Sequence, residues 1–314
     1  MTPTELRFWT IVARRAALAT PEIAASILAA FQVLRDNLSD AELQRAIDLG
    51  YAEQIVAQVI SDAAWQAAFQ PVRDSIRRSI VQSVTYYART LPVPPAAAKQ
   101  LAISFDYLSP HVVTAIRQLE TATLGKLEES TRETLRAFVE NGLRDGASPA
   151  SMARDIRGLF GLAPNQMQEV ANFRDALAGA NGRSITNYNL RNRTVDRLLA
   201  KGPLTEAQIE RYTEQYRQKR IAINAYTNAR TASGDAQKLA NRLAWQHAVD
   251  TGVVDGDRLK RQWIGVMDSR ERPSHVAMEK QVAPFGQPYS NGQMVPGEGE
   301  YNCRCVERFF VSRA

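Results

Sequence analysis

Between Asp62 and Arg89 the apolar residues Val72, Ile76, Ile80 and Val84 recur at every fourth position, which places them on one face of a helix. Pro71 lies inside that stretch and predicts a break or kink near Gln70, because its ring removes an amide donor and crowds the preceding turn. Helix starts are written elsewhere in polar residues. Thr2 with Glu5, Ser39 with Glu42 and Thr205 with Gln208 have the spacing of capping boxes, and Gly50 should stop the second of these helices. Ser148 followed by Pro149 predicts a capped short helix, and Gly179 and Gly182 should end the helix after it. Residues 110–142 read as one long helix or two in line, with Gly125 as a weak point, and 205–250 as another. The proline-rich run 91–100 predicts a linker or sharp turn.

After Gly252 the period changes. Short strand-like runs, RQWIGV and CVERFFV, are separated by Gly, Pro and an Asn-Gly turn. The predicted fold is therefore mainly α: an extended multi-helix N-terminal region with a small α+β C-terminal module. Three segments follow: a helical region over 1–90, a central helical region over 91–204, and a module of one helix and short strands over 205–314.

Composition adds exclusions. The first residues lack the layout of a secretory signal, since Arg14 and Arg15 interrupt the apolar run. No window is expected to reach the roughly 20 apolar residues of a membrane span, and no strongly basic apolar stripe points to a membrane partner. Two cysteines in 314 residues are too few for a disulfide framework, so a reducing compartment is expected. The net charge of +6 is concentrated in residues 151–230, with 13 Lys and Arg against 7 Asp and Glu. Arg154, Arg157, Arg174, Arg183, Arg191, Arg193 and Arg197 are thus candidates for contacts with phosphate or with an acidic protein surface. Solvated helix faces would need the same residues.

The only two cysteines, Cys303 and Cys305, flank a single arginine, and one of three histidines, His275, lies in the same module. In an extended strand the two thiols share a face. Three readings stand: two thiols packed as small core residues, a zinc site made by Asp268, His275, Cys303 and Cys305, or a thiol–imidazole nucleophile. A disulfide across one residue is too strained to expect. No cofactor other than that zinc is expected.

Trp263, Asp268, Ser269, Arg270, Arg272, His275, Pro296 and the tetrad Asn302-Cys303-Arg304-Cys305 follow a helix carrying Arg230 and Thr231. In order and approximate spacing this resembles the C-terminal module of the Mu F-like head morphogenesis family, the minor head proteins of tailed phages. Ala232 stands where that family usually has an acidic residue. The resemblance covers roughly residues 220–308 and implies a structural minor capsid protein, made in the host cytoplasm and placed inside the capsid near the portal. Its implied partners are the portal protein, the major capsid or scaffolding protein and, non-specifically, the packaged DNA. The implied roles lie in procapsid assembly and in DNA packaging or delivery. An alternative from the residues is a nuclease-like module with His275 as general acid or base and Arg270 or Arg272 on the phosphate.

Overall fold

A computed structural model of the chain describes residues 1–48 and 52–312. In chain order the helices are α1 (Pro3–Asp36), α2 (Asp40–Asp48), α3 (Ala52–Val59), α4 (Asp62–Ala68), α5 (Gln70–Thr90), α6 (Pro95–Ser104) and α7 (Pro110–Arg144). They continue as α8 (Pro149–Ile156), α9 (Pro164–Leu177), α10 (Thr194–Leu199) and α11 (Glu206–Asp250). The module that follows holds β1 (Leu259–Ile264), α12 (Pro273–Val276), β2 (Val282–Pro284) and β3 (Val306–Val311). The fold is mainly α with a small α+β C-terminal module.

Most helix boundaries fall where the polar residues placed them. Thr2 and Glu5 form a reciprocal cap at the start of α1, as Thr205 and Gln208 do at α11. Ser148 accepts from the Ser151 amide with Pro149 just inside α8. α4 and α5 are separated at Phe69, one residue from the break expected of Pro71. The expected stop at Gly50 lies outside the described residues, as does the side chain of Glu42.

Two expectations change. The run 91–100 is a turn only over 91–94; Pro95 then begins α6, because a proline at the first helical position forfeits no intrahelical bond. The second concerns α1, where residues 16–34 carry a single charge, Glu22. An 18-residue window there reaches a mean hydropathy of 1.6, enough by length and composition to cross a membrane. The helix nonetheless buries a stripe through Val12, Ala16, Ile23, Ile27 and Leu34.

By contacts the chain divides into two compact units, each assembled from separated stretches, which cut across the three consecutive sequence segments. The first comprises residues 1–24, 72–123 and 227–314. Its core contains the whole α5 stripe, with Val72, Ile76, Ile80 and Val84 at 0 % exposure. α11 contributes Ala232, Ala236, Ala240, Ala244 and Ala248, a buried row at every fourth residue whose small side chains admit close neighbours. A polar layer crosses this core: Gln237 accepts from Arg15 and Tyr87, each at 3.3 Å, and Thr20 meets Ser233 at 2.8 Å.

The second unit comprises residues 25–71 and 124–226. Its largest side chains are aromatic. Trp65 stacks on Phe69 with ring centroids 3.9 Å apart, and Phe173 stacks on Tyr216 at 4.2 Å. Gly125 lies within a continuous α7.

In the C-terminal module β1 is central, paired antiparallel with β2 on one side and β3 on the other. Alternation puts Leu259, Arg261 and Trp263 on one buried face. Arg261 is neutralised there by Glu307 at 3.0 Å and donates to the carbonyls of Pro284, Gln287 and Met294. A buried guanidinium with that many partners acts as a hub that ties β1 to the end of β2, the turn after it and the loop at Met294.

Candidate metal centre

Beyond β1 the chain needs several tight turns to bring the module's functional side chains together. Asp268 accepts the Arg270 amide at 2.9 Å, Glu271 donates its own amide to the Asp268 carbonyl, and Pro273 opens α12. That single turn carries His275 inward, where it is 1 % exposed and meets Trp263 edge to face at 5.5 Å between centroids. From the other side Asn302, with φ of 56°, is held by two donors from Arg230 (3.0 and 2.7 Å) and by Thr231, whose hydroxyl accepts the Asn302 amide. The extended residues after it aim both thiols at the imidazole. Sγ of Cys303 lies 3.7 Å and Sγ of Cys305 3.4 Å from Nδ1 of His275.

The three donor atoms lie within 4.8 Å of one another, and His275, Cys303 and Cys305 form a group that could hold a metal ion. Both cysteines are free thiols. Thiolate and imidazole donors suit a borderline-soft cation. The surroundings also fit. Nε2 of His275 faces Glu300 at 2.9 Å, the arrangement that orients a ligating imidazole. Gly297, with φ of 69°, passes so close that a Cβ there would lie 2.0 Å from Sγ of Cys303. The backbone is thus wrapped over the thiol with no room to spare.

Charge favours an ionised sulfur. A hydrogen bond from Cys305 is the first cause that lowers the Cys303 pKa, to about 6, with the charge of Lys238 adding to it; the Cys305 thiol is pushed up by the same shared bond and by burial. Lys238 is 4 % exposed and donates to the Pro296 carbonyl at 2.9 Å and to Asp235 at 3.0 Å. Burial works against its charge, but Asp235 and Cys303 outweigh burial and raise its pKa. For Glu300 burial likewise opposes ionisation, and the His275 bond and nearby Arg272 prevail to lower its pKa.

Asp268 is not part of this group, which corrects the expectation that it supplies a ligand. Both of its oxygens are taken by the Arg304 guanidinium at 2.6 Å each, and Arg270 adds a third contact at 3.2 Å. A two-pronged guanidinium–carboxylate pair fixes the carboxylate in place. The acid beside the thiols is instead Glu271, which sequence reasoning misses. Its side chain is 4 % exposed, with Oε1 3.2 Å from Sγ of Cys305 and 3.4 Å from Nδ1 of His275. The i, i+4 spacing from Glu271 to His275 is the one signal that could reveal it.

The remaining motif residues fasten the module. The Trp9 indole donates to the Arg304 carbonyl at 2.9 Å, and Arg272 donates to the Tyr301 carbonyl and pairs with Glu300 at 3.0 Å. Of the central arginines, Arg174 pairs with Glu206 and Glu210, and Arg191 grips Asp196 with two bonds of 2.8 Å. Arg157 donates to the Leu38 carbonyl and, with Arg35 and Arg217, lines a recess of about 490 Å³ floored by Phe31, Phe160 and Ile221. Arg154, Arg183, Arg193 and Arg197 are exposed.

No family model, curated protein or solved structure matches the chain, so the likeness to phage head proteins stands on the residues that carry it.

Proposed function

We propose that the chain is a structural minor component of a tailed-phage head, whose C-terminal module is a rigid fastening clamped by zinc at His275, Cys303 and Cys305 rather than an active site. The observation that carries this reading is the placement of His275. It is 1 % exposed, with Nε2 on Glu300 and Nδ1 facing two thiols and Glu271. A general acid or base for nucleic acid must reach a phosphodiester within hydrogen-bond distance, and this imidazole is enclosed. Arg270 and Arg272, the phosphate partners of the nuclease alternative, are drawn into pairs with Asp268 and Glu300.

In this reading the motif residues serve attachment. Asn302 on Arg230 and Thr231, Lys238 on Pro296, and Trp9 on Arg304 bind the loops of the module to α11 and α1. The helical remainder docks to the portal and to capsid or scaffolding protein. Arg154, Arg183, Arg193 and Arg197 face packaged DNA or an acidic partner surface. The place of action is the capsid interior near the portal, after synthesis in the host cytoplasm.

The test is assembly. Co-expressed with the portal and scaffolding proteins of its own phage, the chain should co-sediment with procapsids, and the Cys303→Ser/Cys305→Ser variant should do so less. A chain that stays unassembled while cleaving DNA or RNA, with cleavage lost in His275→Ala, would overturn the reading in favour of the nuclease alternative.

A further inference from the structure

Three donors leave a tetrahedral ion one position short, and whether that position is filled decides what the centre can do. Structural zinc sites are closed by four protein ligands, whereas catalytic ones keep a place for water or substrate. We infer that Glu271 supplies the fourth ligand through Oε1, making a closed centre of two thiolates, one imidazole and one carboxylate. This rests on the reading that His275, Cys303 and Cys305 hold zinc.

Geometry supports the assignment on the side of His275 and Cys305; Glu271 stands outside the group in which the three donors lie within 4.8 Å of one another, so its carboxylate has to swing toward Cys303 as the ion binds. With Zn–S of about 2.3 Å and Zn–N and Zn–O of about 2.0–2.1 Å at tetrahedral angles, sulfur should lie roughly 3.6 Å from nitrogen or oxygen, and nitrogen roughly 3.4 Å from oxygen. The two S···Nδ1 distances are 3.4 and 3.7 Å, Nδ1 to Oε1 of Glu271 is 3.4 Å, and Sγ of Cys305 to the same oxygen is 3.2 Å. The other carboxylate oxygen, Oε2, accepts the Val266 amide at 3.2 Å, which leaves Oε1 facing Cys305 and His275. A ligating carboxylate held from behind by a hydrogen bond is the usual supporting arrangement. Glu300 holds the imidazole in the same way from Nε2. The competing carboxylate, Asp268, is occupied by Arg304.

Glu271 also sits where a carboxylate is otherwise unwelcome. It is nearly buried beside a thiol that hydrogen-bonds to it, and the nearby Arg304 guanidinium is already committed to both oxygens of Asp268; a buried carboxylate is paired or coordinates a metal.

Cobalt(II) loaded into the full chain separates the possibilities, because sulfur-to-cobalt charge-transfer absorption reports thiolate binding and the visible bands report coordination number. Added azide then probes for an open position. The expected result is one cobalt per chain, with thiolate charge transfer and intense four-coordinate bands that azide leaves unchanged. In Glu271→Ala the charge transfer should persist while azide shifts the visible bands, because the vacated position admits an outside ligand. Wild-type bands that shift with azide would show an open position and overturn the assignment of Glu271, even if the variant fails to fold. A Glu271→Ala centre as inert to azide as wild type would overturn it too, leaving the three-residue zinc site intact. Absence of cobalt charge transfer in wild type would overturn both.

Discussion

The Glu300 carboxylate meets Nε2 of His275 at 2.9 Å, while Nδ1 of the same ring faces both thiols. One nitrogen is thereby held by an acid and the other is aimed at the candidate metal position. If Glu300 serves to orient the imidazole, Glu300→Ala should weaken zinc or cobalt binding about 10–100-fold without removing a ligand. Competition with a chromogenic chelator measures this. Unchanged affinity would mean that Glu300 only fills a loop.

Gly297 should tolerate no side chain. A Cβ there would lie 2.4 Å from Cβ of Cys303 as well as 2.0 Å from its sulfur, and the φ of 69° is unfavourable for any L side chain. Overpacking and the left-handed backbone together put the cost of Gly297→Ala at about 2–4 kcal/mol. Denaturant melts read this out as a lower midpoint. Gly299, which has open space around its position, serves as the control of similar φ.

Acid should loosen the module through Asp268. The Arg304 hydrogen bonds are the first cause that holds its pKa far below the usual aspartate range, with Arg270 adding to them. A carboxyl whose pKa is depressed on folding contributes stability above its unfolded pKa of about 3.9 and loses it as the pH falls toward the folded value. Below pH 4 wild type should therefore lose stability more steeply than Asp268→Asn, measured by thermal melts at stepped pH. Parallel curves would remove Asp268 from the acid response.

The exposed arginines of the central region carry a separate expectation. Changing Arg154, Arg183, Arg193 and Arg197 to Ala should flatten the salt dependence of DNA binding, by about 0.9 in the log–log slope for each phosphate no longer neutralised. Arg174 and Arg191, already paired with acids, should matter much less when changed. An unaltered slope in the fourfold variant would place any DNA-binding surface elsewhere.

Much of this architecture is legible in the chain because local rules write it. Thr2 with Glu5 and Thr205 with Gln208 satisfy orphan helix amides within four residues, so sequence spacing alone reveals them. The Val72–Val84 row follows from helical period, and the thiol pair with His275 from the rarity of those residue types. What stays hidden depends on distant parts of the chain. Asp268 and Glu271 are both acids on one turn, and only Arg304, 36 residues on from Asp268, decides which is tied up. Lys238 and Glu300 reach the thiol site from α11 and from a loop, with no pattern of their own. The composition of the two units is likewise invisible to a linear reading, since each gathers separated stretches.

A structural metal clamp at the C-terminal motif should declare itself in the metal content of the purified protein. Elemental analysis of the full chain, prepared without chelator beside the Cys303→Ser/Cys305→Ser variant, should find about one zinc per chain in the wild type and none in the variant. Wild-type protein that is folded and free of metal, and that takes up none when zinc is added, would contradict the clamp and leave Cys303 and Cys305 as packed thiols.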